Sequence, residues 1–126
     1  MPAQYEIDIQ NRMVRTTLSG LITHREVADH SARLHCDPDF DPGFSELVAF
    51  QGKADIQLGL PELRDLLRLD PFMSTSRRAF VIGSRTEVLG FLRTYQNLKR
   101  DSPYVRVFQT ADEAMVWLST RARRTG

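Results

Sequence analysis

Three histidines and the single cysteine are the residues of this chain that could bind zinc. A structural zinc site needs four ligands, drawn mainly from Cys and His. His24, His30 and His35 are spaced six and five residues apart, whereas helical neighbours on one face lie three or four apart. The histidines would point in different directions, so we expect no metal. His30 is expected to be exposed, and His35 to help end a helix beside an idle or packed Cys36 thiol.

Three alternating aspartates resemble the start of a calcium-binding loop. Asp37, Asp39 and Asp41 have the spacing of the first three ligands of an EF-hand. That loop also needs Gly at its sixth position and a bidentate Glu at its twelfth. This chain has Pro42 and Val48 there. We therefore expect a proline-fixed turn with acidic surface residues.

No catalytic residues can be assigned from the sequence. The chain has no G-x-S-x-G nucleophile motif, and Cys36 lies too close to His35 to form a well-placed catalytic pair. It also lacks the two glycine-rich motifs that bind nucleotide phosphates. We expect a protein that is not an enzyme and has no cofactor.

One candidate ligand site follows from position in the predicted fold. Open α/β sheets tend to bind ligands at the carboxyl ends of their strands, where helix N-termini also favour anions. A phosphate, a carboxylate or an anionic lipid head group would suit such a rim. The alternative is that its residues are helix caps and solvated charges. The hypothetical ligand-binding residues are His24, Arg25, Lys53, Ser84, Arg85 and Thr110.

The elements that must position these residues are indicated by three S/T-x-x-E capping boxes. They lie at Thr23–Glu26, Ser84–Glu87 and Thr110–Glu113, each after a strand-like apolar run. Repeated strand-then-helix units predict an α/β fold, with four βα units around one mixed five-stranded sheet and four helices. Only the first strand is expected to be antiparallel to the others.

The apolar patterns give approximate bounds for these elements. An N-terminal hairpin precedes the first helix, and a loop is expected at 51–59, before the second helix. The strands are predicted near 5–9, 13–18, 47–50, 79–82 and 104–108, and the helices near 24–36, 61–69, 85–100 and 111–122.

The composition is that of one globular domain, predicted over residues 1–120 with a frayed tail at 121–126. The chain has 126 residues, of which 41% are hydrophobic and 26% charged. Its longest apolar runs are about four residues, far short of the roughly 20 that span a bilayer. We expect no secretory signal, and the one cysteine suits a reducing compartment, so we also expect a cytoplasmic protein without a membrane span.

The charge is divided unevenly along the chain. Residues 1–76 contain 7 Lys and Arg against 12 Asp and Glu, whereas residues 77–126 contain 10 against 4. The net charges of −5 and +6 could favour self-association or an anionic partner, although ordinary solvated helix faces would explain them equally. The basic residues are scattered, so nucleic-acid binding is not expected. Phe72, Phe91 and Tyr95 are either core residues or an interaction surface for a homodimer or another protein.

The whole chain resembles one known fold family, on six segments. They are Tyr5–Asp8, Asp37–Phe44, Leu47–Phe50, Arg77–Val81, Val105–Phe108 and Glu113–Leu118. On these segments the chain is similar to the SpoIIAA-like fold of STAS domains and of the related Sec14-type lipid-binding domains. It most resembles a bacterial family of small stand-alone STAS-like proteins without assigned activity. The resemblance implies a non-enzymatic regulatory or protein-interaction module. The alternative is a small-molecule or lipid-binding protein that uses the rim or a cavity beneath the third helix, as the Sec14 resemblance would allow.

One departure from the STAS pattern affects the expected mechanism. Anti-sigma-factor antagonists of that fold carry a phosphorylatable Ser or Thr at the helix start after the central strand. The matching segment here is 51–60, and neither residue type occurs from Glu46 to Met73. The resemblance therefore implies a module without the usual phosphorylation switch.

Overall fold

The structure, a computed structural model, describes residues 3–120. Within that range the chain forms five strands, four α-helices and one short 3-10 turn at Thr86–Val88. None of these helices is long and apolar enough to cross a membrane. In chain order the elements are β1 (Ala3–Asp8), β2 (Met13–Thr23), α1 (His24–His35), β3 (Ser45–Gln57), α2 (Leu60–Arg68), β4 (Arg78–Val81), α3 (Leu89–Leu98), β5 (Val105–Phe108) and α4 (Ala111–Thr120). The predicted tail at 121–126 lies outside the described residues.

The five strands form one mixed sheet in the order β1-β2-β3-β4-β5. β1 pairs with β2 in the antiparallel direction, and the remaining neighbours are parallel. The turn between β1 and β2 is held by Asp8, whose carboxylate accepts hydrogen bonds from the backbone and side-chain nitrogens of Asn11 at 3.0 and 2.8 Å. The predicted α/β class, with a mixed five-stranded sheet and four helices, is confirmed.

The two faces of the sheet are covered by different helices. Successive strand residues point to opposite faces, so Leu47 packs towards α4 while Val48 packs towards the other helices. Leu63 of α2 and Leu92 of α3 belong to the same core as Val48, and Val27 of α1 packs against it. Three helices therefore cover one face, and α4 alone covers part of the other.

β3 is much longer than the predicted strand at 47–50. The segment expected to be a loop at 51–59 continues β3 to Gln57, where it pairs with the end of β2 after a register shift between Ser19 and Gly20. Ala54 is buried and Ile56 half-buried, whereas Lys53, Asp55 and Gln57 are exposed. This alternation is that of a strand with one covered face, so the loop prediction was wrong.

Two of the three predicted capping boxes cap a helix. The Thr23 hydroxyl accepts a hydrogen bond from the Glu26 amide at 3.3 Å at the start of α1. At α4 the bonding is reciprocal: the Glu113 amide donates to the Thr110 hydroxyl at 3.2 Å, and the Thr110 amide donates to the Glu113 carboxylate at 3.4 Å.

The third box, at Ser84–Glu87, was wrongly predicted to open a long helix at 85–100. Gly83 has a φ of +60°, and the Thr86 amide donates to the backbone oxygen of Ser84 at 3.0 Å. The Val88 amide then donates to the backbone oxygen of Arg85 at 3.4 Å, and the Leu89 amide donates to that of Thr86. These two bonds form the 3-10 turn, and α3 begins only at Leu89. The chain at Ser84 is therefore folded as a turn, which does not place its hydroxyl at a helix N-cap.

Candidate functional site

A cavity of about 110 Å³ lies between the sheet and the three helices on its larger covered face. Its walls are mainly aliphatic and aromatic side chains from β2–β4 and from α1–α3. Ser31 of α1 also lines it, together with Val27 and Leu34 of the same helix. The principal apolar wall residues are Val27, Val48, Leu63, Leu66, Phe80 and Phe91.

One side of the cavity wall is a buried ionic cluster centred on Arg78. Its Nε lies 3.2 Å from Oε1 of Glu46, and its Nη2 lies 2.5 Å from Oδ1 of Asp70. The side chains of Arg78, Glu46 and Asp70 are only 9%, 9% and 15% exposed. Charges this deeply buried are costly to desolvate and persist only when paired and hydrogen-bonded.

Further bonds complete this cluster. Nη1 of Arg78 donates to the Tyr95 hydroxyl at 2.6 Å, and the Thr16 hydroxyl donates to Oε2 of Glu46 at 2.7 Å. The Arg78 guanidinium also lies over the Phe72 ring, 4.6 Å from its centroid. The cluster thus joins β2, β3, β4, α3 and the loop after α2.

Burial shifts the ionisation of the cluster. It raises the pKa of the Glu46 carboxyl, an effect that the charge of Arg78 and the bond from Thr16 only partly offset. It also raises the pKa of Tyr95. Burial disfavours the charged form of Arg78, but Tyr95, Glu46 and Asp70 outweigh that cost, so the pKa of Arg78 lies well above its usual value. Arg78 therefore keeps its positive charge.

His30 lies in the same cavity wall and is buried, with 6% of its surface exposed. Its Nδ1 is the buried side-chain polar atom left without a hydrogen-bond partner among residues 3–120. Burial, with smaller contributions from Arg33 and Arg78, lowers the pKa of His30 to about 4. The imidazole is therefore neutral at pH 7.

The prediction that His30 is exposed was wrong. His30 follows Val27 by three residues and precedes Leu34 by four, so it lies on the stripe of α1 that faces the core. Tyr5 of β1 covers it, with the ring centroids 5.5 Å apart and an interplanar angle of 69°. The spacing of the apolar residues was the signal that could have identified it.

Two of the rim residues predicted to bind an anion lie at the starts of helices on opposite faces of the sheet. His24 begins α1 and Thr110 precedes α4. Nε2 of His24 lies 2.7 Å from Oδ2 of Asp65. At α4, the Thr110 hydroxyl and amide are bonded to Glu113. A carboxylate thus lies beside each of these two residues.

The remaining rim residues are spread over β3 and the turn after β4. Nε of Arg85 donates to the backbone oxygen of Gly52 at 2.9 Å, which brings that turn against β3. Lys53 is an exposed residue within β3, and Arg25 and Ser84 are exposed as well. An anion site on the rim remains a prediction.

The three aromatic residues considered as an interaction surface line the cavity instead of forming an outer patch. Phe72 and Tyr95 are buried and Phe91 is half-buried. The Tyr95 ring packs against Phe80 and Phe91, with centroid separations of 5.2 and 6.3 Å. These contacts assign all three side chains to the wall between the sheet and α3.

The remaining candidate ligands of the sequence lie near the end of α1. Cys36 is exposed at the C-cap of that helix, and the Asp37 carboxylate accepts a hydrogen bond from the Tyr5 hydroxyl at 2.8 Å. In the part of the chain that the structure describes, no three His, Cys, Asp or Glu side chains are grouped so that they could hold a metal ion.

The sequence analysis missed the ionic cluster of the cavity. Glu46 and Arg78 each lie directly before a short apolar run, Leu47–Phe50 and Ala79–Ile82 respectively. Charged residues are rarely buried unless paired, and such a pair within two neighbouring strands could have been proposed. Their direct pairing in the β3–β4 register, Glu46 opposite Arg78, is visible only in the structure.

No protein-family model matches the chain, and a search of curated proteins found no match.

Proposed function

We propose that this protein binds a small, mainly apolar molecule in the cavity between the sheet and α1–α3. The observation that carries the proposal is the cavity itself, with hydrocarbon walls and a buried polar side that includes an unpaired His30. Ligand sites of proteins commonly combine apolar walls with a few well-placed polar groups.

The size of the cavity limits the ligand. Pockets for drug-sized molecules are roughly 300–1,000 Å³, whereas this cavity measures about 110 Å³. An apolar cavity of about 150 Å³ is known to hold benzene. A single ring or a chain of a few carbons suits the present cavity, and a complete lipid does not.

We propose that the protein binds its ligand without catalysing a reaction. Glu46, Asp70, Arg78 and Tyr95 could each serve as an acid, a base or an electrostatic catalyst, but they are hydrogen-bonded to one another in the cavity wall. These bonds favour a structural role, holding β3, β4, α3 and the loop after α2 together around the ligand.

The second candidate function is the STAS-like regulatory or interaction module expected from the sequence. It is favoured by the element order, an antiparallel first strand followed by four βα units. The two functions are compatible, because a ligand between the sheet and α1–α3 would affect the helices that a partner protein contacts. A lipid-binding, Sec14-like role is less well supported by a cavity of this volume.

Filling the cavity tests the proposed function. Ser31→Leu places a larger side chain in the cavity, whereas Ala32→Leu adds the same side chain at the neighbouring exposed position of α1. We expect toluene, at ten times its dissociation constant, to raise the melting temperature of the wild type and of Ala32→Leu by about 5 °C. We expect no increase for Ser31→Leu, because its leucine occupies the same space.

Two results would contradict the proposed function. One is a wild-type melting temperature that toluene leaves unchanged up to its solubility limit. The other is an equal increase in Ser31→Leu. Circular dichroism would establish that each variant is folded, and Val27→Phe would replace Ser31→Leu if the latter did not fold.

A further inference from the structure

His30 is the feature of the cavity that restricts the chemistry of its ligand. It is more than nine-tenths buried, lines the cavity and has an Nδ1 atom without a partner among residues 3–120. We infer that the ligand is an uncharged alcohol or phenol whose hydroxyl group hydrogen-bonds Nδ1 of His30. This inference rests on the proposed function, since it concerns the occupant of the same cavity.

A negatively charged ligand is disfavoured by the polar side of the cavity. Arg78 is the positive group there, and it is already paired with the carboxylates of Glu46 and Asp70. With Glu46 protonated the three side chains have no net charge, and with Glu46 ionised they have a net charge of −1. A ligand carboxylate or phosphate would therefore lose its hydration without gaining an unpaired cation.

A positively charged ligand is disfavoured at His30 as well. The guanidinium groups of Arg33 and Arg78 both act against positive charge on the imidazole, and burial adds to their effect. A ligand ammonium placed beside His30 would be subject to the same repulsion and desolvation. Both signs of charge are thus unfavourable, and a neutral ligand remains.

A hydroxyl group fits the unpaired Nδ1 in either state of the imidazole. In a neutral histidine one ring nitrogen donates and the other accepts, according to the tautomer. A hydroxyl can do both, so it satisfies Nδ1 whichever tautomer is present. A hydrocarbon at this place leaves a buried polar atom unpaired, which is unfavourable.

A water molecule alone is a weaker occupant. Buried waters typically make about three hydrogen bonds. The side-chain atoms of the nearby cluster are already bonded, Thr16 to Glu46 and Arg78 to Tyr95. An alcohol needs only the single bond to Nδ1, because its hydrocarbon part contacts the apolar wall.

Two matched sets of ring compounds test this inference by protein-observed NMR titration at pH 7. Phenol and toluene are nearly equal in size and differ in the hydroxyl group. Benzyl alcohol, benzylamine and benzoate differ mainly in charge. We expect phenol to bind three- to tenfold more tightly than toluene, the range that one net hydrogen bond provides. We expect benzyl alcohol to bind at least tenfold more tightly than either charged analogue.

The variant His30→Leu distinguishes a bond to His30 from general affinity for phenols. It should bind phenol several-fold more weakly than toluene, because the ligand hydroxyl would then be buried without a hydrogen-bond partner. Its toluene affinity should stay within twofold of that of the wild type. His30→Phe serves as the second variant if His30→Leu does not fold. Equal wild-type affinities for phenol and toluene would overturn the inference. Tighter binding of benzoate than of benzyl alcohol would do so too, as would a phenol preference that survives the loss of His30.

Failure of this inference is separable from failure of the proposed function. If toluene and phenol both bind, are blocked by Ser31→Leu and do not differ in affinity, the cavity is a binding site but the hydroxyl is not recognised. If neither compound binds the wild type, or Ser31→Leu blocks neither, the binding function itself is contradicted together with the inference.

Discussion

His30 and Arg78 lie in the same cavity wall but differ in how their polar atoms are paired. The guanidinium of Arg78 has two carboxylates and a hydroxyl as partners, and it keeps its charge although it is buried. Nδ1 of His30 has no such partner, and the imidazole is neutral. One residue therefore holds the wall together, while the other has a buried nitrogen that is left unpaired.

The depressed pKa of His30 predicts a stability that depends on pH. Unfolded histidine has a pKa near 6.5, and the folded value is about 4. Between these values the unfolded chain binds more protons, so stability falls as the pH decreases from 6.5 towards 4. At pH 5 the loss from His30 is about 2 kcal/mol. We expect the unfolding free energy of His30→Leu, measured with urea, to fall by about 2 kcal/mol less than that of the wild type between pH 7.5 and 5.

Comparing the wild type with His30→Leu separates the contribution of His30 to the pH dependence of stability from the contributions of the groups around it. Arg33 and Arg78 supply the positive charge near the imidazole, Tyr5 packs on it, and Glu46 and Asp70 share its cavity. Glu46 has the opposite effect on stability. Its pKa is raised in the folded protein, so its protonation stabilises the fold as the pH decreases. That effect is present in both proteins. If the unfolding free energies of the wild type and His30→Leu changed equally with pH, burial would not be what keeps His30 neutral.

At the scale of the elements, the same sequence signal had different outcomes at Thr110 and Ser84. Thr110 makes the reciprocal bonds of a capping box at α4, whereas Ser84 lies in a turn before a 3-10 segment. We expect Thr110→Ala to lower the unfolding free energy by about 1 kcal/mol, since it removes the cap. Ser84→Ala should change it by less than about 0.5 kcal/mol. Equal losses in chemical denaturation would contradict the assignment of caps.

Element type could be predicted from the sequence more readily than element length. Local patterns identified all five strands and four helices, because alternation and helical spacing are properties of short segments. The extension of β3 from Phe50 to Gln57 depends on pairing with the far end of β2 across the shift at Ser19 and Gly20. That contact joins distant parts of the chain, so no local pattern specified it.

At the scale of the whole molecule, the ionic side of the cavity wall could not be predicted because its residues come from separate elements. Glu46 lies on β3, Arg78 on β4 and Asp70 in the loop after α2, and the Glu46–Arg78 pair joins the acidic first part of the chain to its basic second part. The sequence did suggest a small-molecule function as an alternative. It left the site open between the rim, where conspicuous charged residues lie, and a cavity beneath the third helix.

The location of a bound ring compound tests the central claim of this account most directly. With selectively labelled methyl groups, intermolecular NOEs would show which side chains contact toluene in solution. The account predicts NOEs to Val27, Val48 and Leu63 in the cavity, and none to Leu47 or Leu118, which pack together on the other face of the sheet. NOEs confined to Leu47 and Leu118, or none to any of these methyl groups at saturating toluene, would contradict it.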